Sequence, residues 1–237
     1  MKITKRIIPD AITSCNLLCG AAATFLATQN AFLPAFVFIL CGAFFDFFDG
    51  LSSRLLNVPS KVGIELDSLA DDITFGLAPA MMAFCYLFPI IDWWALIALL
   101  MAAFSALRLA KFNVDERQTS SFIGLATPAN AIFWGGICSM PYAMTAPDWV
   151  PWVLLVLTLV SCYLLVCEIP FFSLKFKSFT WNENYDKYLF LIGDVVLIAY
   201  CIIKAAITTH WEFAFFAGTA VIVWYVVLNL LINLLKR

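Results

Sequence analysis

Four aspartates, Asp46, Asp49, Asp67 and Asp71, stand in the stretch DFFDGLSSRLLNVPSKVGIELDSLAD at residues 46–71 of a mostly apolar chain. Asp46 and Asp49 are three apart and Asp67 and Asp71 four apart, so each pair shares one helix face. Carboxylates grouped near membrane depth repel one another and resist dehydration, at about 2.5–3.5 kcal/mol each at a helix centre and less toward its end. The flanking sequence holds too few Lys and Arg to neutralise all four. Divalent cations would do so, and the hard carboxylate oxygens suit Mg²⁺ or Mn²⁺. Gly50 and Gly63 lie beside the two pairs, where a missing side chain lets a helix or ligand come close.

Three uses of such a cluster can be weighed. Helix caps and solvated loop charges suit Asp92 and Asp148, but not four carboxylates at helical spacing among Phe44, Phe45, Phe47, Phe48 and Leu69. A cation or proton transporter favours carboxylates spread across the membrane depth, with broken helices near the midplane. Here they gather on one side. Phosphoryl-group transfer uses the cluster directly, because two cations held by carboxylates grip a diphosphate and stabilise the leaving group. Asp46, Asp49 and Asp67 are natural metal ligands. Asp71 can face the metals too and receive the proton of an attacking hydroxyl. Arg54 is placed to pair with diphosphate oxygens, or else to snorkel to the interface. Asp72 lies roughly 100° further round its helix than Asp71 and falls outside the pattern.

The elements that position these residues follow from composition. Hydrophobic residues make up 63% of the 237 and charged residues 13%, and mean hydropathy is +0.93. That defines a polytopic integral membrane helical bundle, all-α, with residues 1–237 as a single membrane-embedded domain. Apolar stretches near the roughly 20 residues of one crossing fall at 11–28, 31–48, 65–88, 90–110, 127–144, 149–170, 188–206 and 211–235, about eight transmembrane helices. The opening Lys2, Lys5 and Arg6 imitate a signal peptide. Pro9, Asp10 and Asn16 interrupt the run that follows, so it reads as a retained first helix. Eight spans put the N-terminus, the 49–64 segment, the 111–126 and 171–187 loops and the C-terminus on one side. That side carries Lys2, Lys5, Arg6, Arg54, Lys61, Arg108, Lys111, Arg117, Lys175, Lys177, Lys187, Lys236 and Arg237; only Lys204 falls at the other end of a span. Positive charge marks the cytoplasmic side, so the active site and both termini are expected there, at the cell membrane. His210 is the only histidine, which excludes a His-based metal site or triad. The eight Cys form no CxxC pair and read as small residues in helix contacts.

The full pattern, D-x2-D-G-x2-S-R-x8-G-x3-D-x3-D, resembles the signature of the CDP-alcohol phosphotransferases, membrane enzymes of phospholipid synthesis. Ser53 stands where that signature has Ala. The resemblance implies that Asp46, Asp49 and Asp67 bind metal, that Asp71 is the base, and that Gly50, Ser53, Arg54 and Gly63 take the nucleotide and diphosphate. It also implies a homodimer. RLAKFN at 108–113 and FIGLATP at 122–128 narrow the likeness to the bacterial and archaeal phosphatidylserine synthases, with Lys111 where Arg is usual and Ala126 where Pro is common. IPDAITSCNLLCG at 8–20 is similar to the family's first helix, with Asp10 where Asn is commoner. The likeness covers roughly residues 1–170 and fades over the last two spans. It implies CDP-diacylglycerol and L-serine as substrates and phosphatidylserine and CMP as products, with membrane lipid and no nucleic acid as partner. A sister enzyme using another acceptor, such as glycerol 3-phosphate, is the alternative.

Arg108 and Lys111, three apart on one helix face, are suited to hold serine's carboxylate, with Asn113 adding donors and an acceptor. The competing reading is ordinary positive-inside charge. Glu168 is a further polar intrusion, near the end of the sixth span, and has no role in this scheme.

Overall fold

In lipid every backbone N–H and C=O must be paired within its own segment, so long apolar runs wind into helices. The computed structural model describes residues 2–58, 60–115, 122–140, 147–172 and 181–235. It is helical apart from one two-residue strand pair and the connections. Of the basic residues named above, Arg117, Lys175, Lys177, Lys236 and Arg237 lie outside the described residues, as does part of the 108–128 segment.

Helices α1 (Lys2–Thr28) and α2 (Phe32–Leu56) pack as an antiparallel hairpin that turns at Asn30, a residue in left-handed backbone. Asn57, also left-handed, ends α2, and the N–H groups of Asn57 and Val58 bond to the carbonyls of Arg54 and Ser53. Such a cap satisfies the last orphan carbonyls of a helix. Ser60 then caps α3 (Lys61–Asp71) by accepting from the Gly63 N–H at 2.8 Å. The helix widens into a π segment at Asp72–Leu77 and continues as α4 (Ala78–Ile91). At Asp92 (φ 52°, ψ −137°) the chain reverses into a 3₁₀ segment, Asp92–Leu99, followed by α5 (Leu100–Val114). The reversal brings Asn113 back to Ser68, whose Oγ accepts its amide hydrogen at 2.8 Å.

Helices α6 (Thr127–Cys138) and α7 (Val150–Val166) each have proline in the first turn, where the missing N–H costs no intrahelical bond. Strands β1 (Phe122–Ile123) and β2 (Pro170–Phe171) form an antiparallel pair, with Phe122 opposite Phe171 and Ile123 opposite Pro170. Helices α8 (Trp181–Thr208) and α9 (Glu212–Leu235) pack on each other, and α9 also lies against α6. The core gathers Phe36 and Ile39 of α2, Phe75 of the π segment, Met82 and Leu87 of α4, Met101 of α5 and Trp134 of α6. The Trp134 indole N–H donates to Ser161 of α7 at 3.0 Å. Large apolar side chains such as Leu18, Phe25, Val195 and Ile207 point outward, as a surface solvated by lipid requires.

Among the described residues, five helical stretches are long and apolar enough to cross a membrane: Ile7–Thr28, Phe32–Leu56, Lys61–Val114, Asn184–Thr208 and Glu212–Leu235. The third holds the reversal at Asp92. Several boundaries differ from the apolar runs. The 49–64 segment is not a loop: α2 extends to Leu56 and α3 begins at Lys61, leaving only 57–60 between them. The apolar run ends at residue 48 because the helix there turns polar, not because it stops. Likewise α1 begins well before residue 11, and the helix expected at 127–144 is described only as Thr127–Cys138.

Candidate active site

Helices α2 and α3 both pack on α1, and their carboxylates converge. Asp46 and Asp49 on α2 and Asp67 on α3 each bring a carboxylate oxygen within 4.8 Å of the others. Asp49 is buried, and its Oδ2, like Oδ1 of Asp67, is sequestered from water without a hydrogen-bond partner. Orphaned buried carboxylate oxygens are costly unless a cation satisfies them. Three convergent hard donors therefore fit a divalent ion such as Mg²⁺ or Mn²⁺.

Asp71 lies one turn further along α3. Its Oδ1 accepts a hydrogen bond from the side-chain amide of Asn16 on α1 at 3.1 Å. Asn16 is fully buried, and its own backbone carbonyl accepts from the Thr74 hydroxyl at 2.9 Å. The helices close on this point because Gly42 of α2 has no side chain: a Cβ there would press on Thr74 and on the Asn16 amide oxygen. The π turn starts immediately after Asp71, and single π turns inside α-helices recur at functional sites. Asp72 packs instead beside Gly76 and Ser105 of α5 and takes no part in the cluster.

A cleft of about 170 Å³ opens beside the carboxylates, lined by Asp10 and Thr13 of α1, Asp49, Gly50 and Ser53 of α2, and Ser60, Gly63 and Asp67 at the start of α3. Gly50, Ser53 and Gly63 thus share one cavity with two of the metal-binding candidates. Arg54 does not line it: its Nε donates to the Gly50 carbonyl at 2.8 Å and the side chain lies exposed along its own helix.

Arg108 and Lys111 share a second, smaller pocket of about 30 Å³ with Asp115, Ile123 and Glu168. Arg108 is 8% exposed, donates to the Thr127 hydroxyl at 3.3 Å, lies over the Phe112 ring, and keeps a buried, unpaired Nε. It also lies within electrostatic reach of Asp71. Asn113 is not among its lining residues and is bonded to Ser68 instead.

Sequence reasoning did not single out Asn16, Thr13 or Asp10 as parts of a site. The signal for Asn16 was an amide inside an otherwise apolar helix; for Asp10 and Thr13 it was their i, i+3 placement on the face that also carries Asn16.

The CDP-alcohol phosphatidyltransferase family matches residues 6–166. The chain is 36% identical over 184 residues to a CDP-diacylglycerol–serine O-phosphatidyltransferase of Bacillus subtilis, covering 74% of this chain and 98% of that protein. It is 36% identical over 131 residues to the protein of that name from Helicobacter pylori, covering 53% and 54%, and 34% identical over 134 residues to that of Methanocaldococcus jannaschii, covering 56% and 61%. The chain belongs to the CDP-alcohol phosphatidyltransferase family.

Proposed function

We propose that this protein transfers the phosphatidyl group of CDP-diacylglycerol to the hydroxyl of L-serine, yielding phosphatidylserine and CMP. The observation that carries the reading is the convergence of Asp46, Asp49 and Asp67 with Asp71 one turn behind them, in a family of phosphatidyltransferases whose similar members bear the serine name.

Asp46, Asp49 and Asp67 would hold the divalent cations, with Asp71 able to contribute a further oxygen. Divalent cations bound there would supply positive charge to offset the diphosphate and the departing CMP. Gly50, Ser53 and Gly63 leave room for cytidine in the adjoining cleft, and Arg54 reaches the diphosphate after swinging away from the Gly50 carbonyl. Asp71, oriented by the Asn16 amide, accepts the proton of the serine hydroxyl as that oxygen bonds to phosphorus. Arg108 and Lys111 hold the serine carboxylate. Asn113, through Ser68, ties the end of α5 to the helix that carries Asp67 and Asp71.

The same reading takes residues 1–237 as one membrane-embedded domain with eight crossings, counting the two limbs that meet at Asp92 and the shorter α6 and α7. The cytoplasm is assigned to the end that carries Arg54, Lys61, Arg108 and Lys111, and two copies associate as a homodimer.

The test is acceptor choice. Purified protein given CDP-diacylglycerol and Mg²⁺ or Mn²⁺ is expected to release CMP with L-serine and not with glycerol 3-phosphate or inositol. Turnover with glycerol 3-phosphate and none with serine would overturn the serine assignment and leave the phosphatidyltransferase chemistry standing. A failure to release CMP with any alcohol would favour the transporter.

A further inference from the structure

Glu168 is exposed and has no role in the reading above, yet the backbone on either side of it is held in place. Helix α7 ends just before it, with the Cys167 N–H bonded to the Tyr163 carbonyl at 2.9 Å. On the far side, β2 pairs with β1, and the Gly124 N–H donates to the Ile169 carbonyl at 3.0 Å. Gly124 has φ +75°, and a Cβ there would meet the carbonyl oxygens of Leu164, Leu165 and Cys167, so only glycine lets this loop sit so close to the end of α7. Helix α9 secures the same strand. The Asn233 amide donates to the Pro170 carbonyl at 2.9 Å, the Phe172 N–H donates to the Asn229 side chain at 2.8 Å, and the Tyr225 hydroxyl donates to the Phe172 carbonyl at 2.9 Å. Residues 167–237 lie beyond the family match, and through these bonds α9 braces the strand next to Glu168.

That segment presents Glu168 to the pocket that holds Arg108 and Lys111. Among the described residues no ion pair joins the glutamate to either cation. Asp115, which also lines the pocket, has an interaction of its own. Two cations and two carboxylates, Asp115 and Glu168, around a small pocket, with the Arg108 Nε buried and unpaired, are complementary to a small molecule carrying both a negative and a positive group.

We propose that Glu168 receives the α-ammonium of the acceptor while Arg108 and Lys111 hold its α-carboxylate, so that the pocket recognises an amino-acid zwitterion. The inference rests on the serine reading and deepens it by naming what selects the acceptor. Two cations alone would also accept a phosphate dianion; the added carboxylate repels glycerol 3-phosphate and attracts serine, and such a repulsive element is half of specificity.

The experiment measures CMP release by the purified full-length protein with CDP-diacylglycerol, metal, and one of three acceptors. These are L-serine, glycerate (hydroxyl in place of the ammonium) and 2-amino-1,3-propanediol (hydroxymethyl in place of the carboxylate). The unsubstituted protein is expected to prefer serine over both analogues. Glu168→Gln is expected to raise the KM for serine by about 10-fold or more, the scale of one lost charge-assisted hydrogen bond, because a lost ground-state contact appears first in KM. Its KM for CDP-diacylglycerol should stay unchanged, its KM for glycerate should move far less, and Glu168→Asp should recover part of the loss. A serine KM unmoved by Glu168→Gln, or serine and glycerate KM values that rise together, would overturn the role of Glu168 with the serine reading intact. Equal use of serine and glycerate by the unsubstituted protein would overturn it without any variant. Failure of the unsubstituted protein to use serine, with turnover of glycerol 3-phosphate, would overturn both.

Discussion

Asp71 and Asn16 make the division of labour within the acidic cluster testable at the scale of single residues. Asp46, Asp49 and Asp67 converge on one point, whereas Asp71 is held by an amide from another helix. Asp71→Asn is expected to reduce kcat by roughly 10²–10⁴-fold, the contribution typical of a general base, with the KM for CDP-diacylglycerol changed much less. Near-normal turnover would place the base elsewhere. Asn16→Ala removes the orienting bond and keeps the carboxylate, so a smaller loss is expected, about 10–100-fold, as for partners that orient ligands at metal sites. A steady-state comparison of the two variants separates the roles: equal losses would mean that Asn16 does more than orient. The four aspartates were legible in the sequence because helical spacing alone puts them on shared faces. Asn16 was not, since its partner is 55 residues away and nothing local says which face of α1 meets α3.

At the scale of elements, the site depends on how closely α1, α2 and the π segment approach. Thr74 fills the space left by Gly42 and binds the Asn16 carbonyl, which fixes the helix that carries Asp71 against the helix that carries its partner. Gly42→Leu is expected to destabilise the protein by about 1–3 kcal/mol, the usual cost of overpacking, visible as a lower Tm in detergent, and to lower kcat as Asn16 is displaced. Unchanged stability would show that the helices can separate at no cost. Apolar runs located most helices but misplaced their ends. They mark the lipid-facing length of a helix, while α2 and α3 continue past it on polar residues and stop at particular caps, Asn57 and Ser60. The π segment, which packs against α1, α5 and α6, left no trace in the hydropathy pattern. The fixed backbone beside Glu168 was equally invisible, since it depends on a strand pair and on polar side chains of α9.

At the scale of the whole molecule, the up-and-down order of the helices brings the start of α1, the end of α2, the start of α3 and the ends of α5 and α7 to one end of the bundle. Both pockets of the proposed reaction lie there. That end also carries Arg54, Lys61, Arg108 and Lys111. Most of this was legible from composition and charge; the acceptor pocket needed the fold, because Arg108 and Glu168 are far apart in the chain. The proposed reaction is metal-dependent phosphatidyl transfer to serine by the carboxylate cluster. It is tested most directly by mass spectrometry of the lipid formed when metal-stripped, purified protein is incubated with CDP-diacylglycerol and L-serine, before and after Mg²⁺ or Mn²⁺ is added. Phosphatidylserine is expected only after the metal is restored. Phosphatidylserine formed at full rate in the stripped sample, or CDP-diacylglycerol left intact with either metal present, would contradict the account.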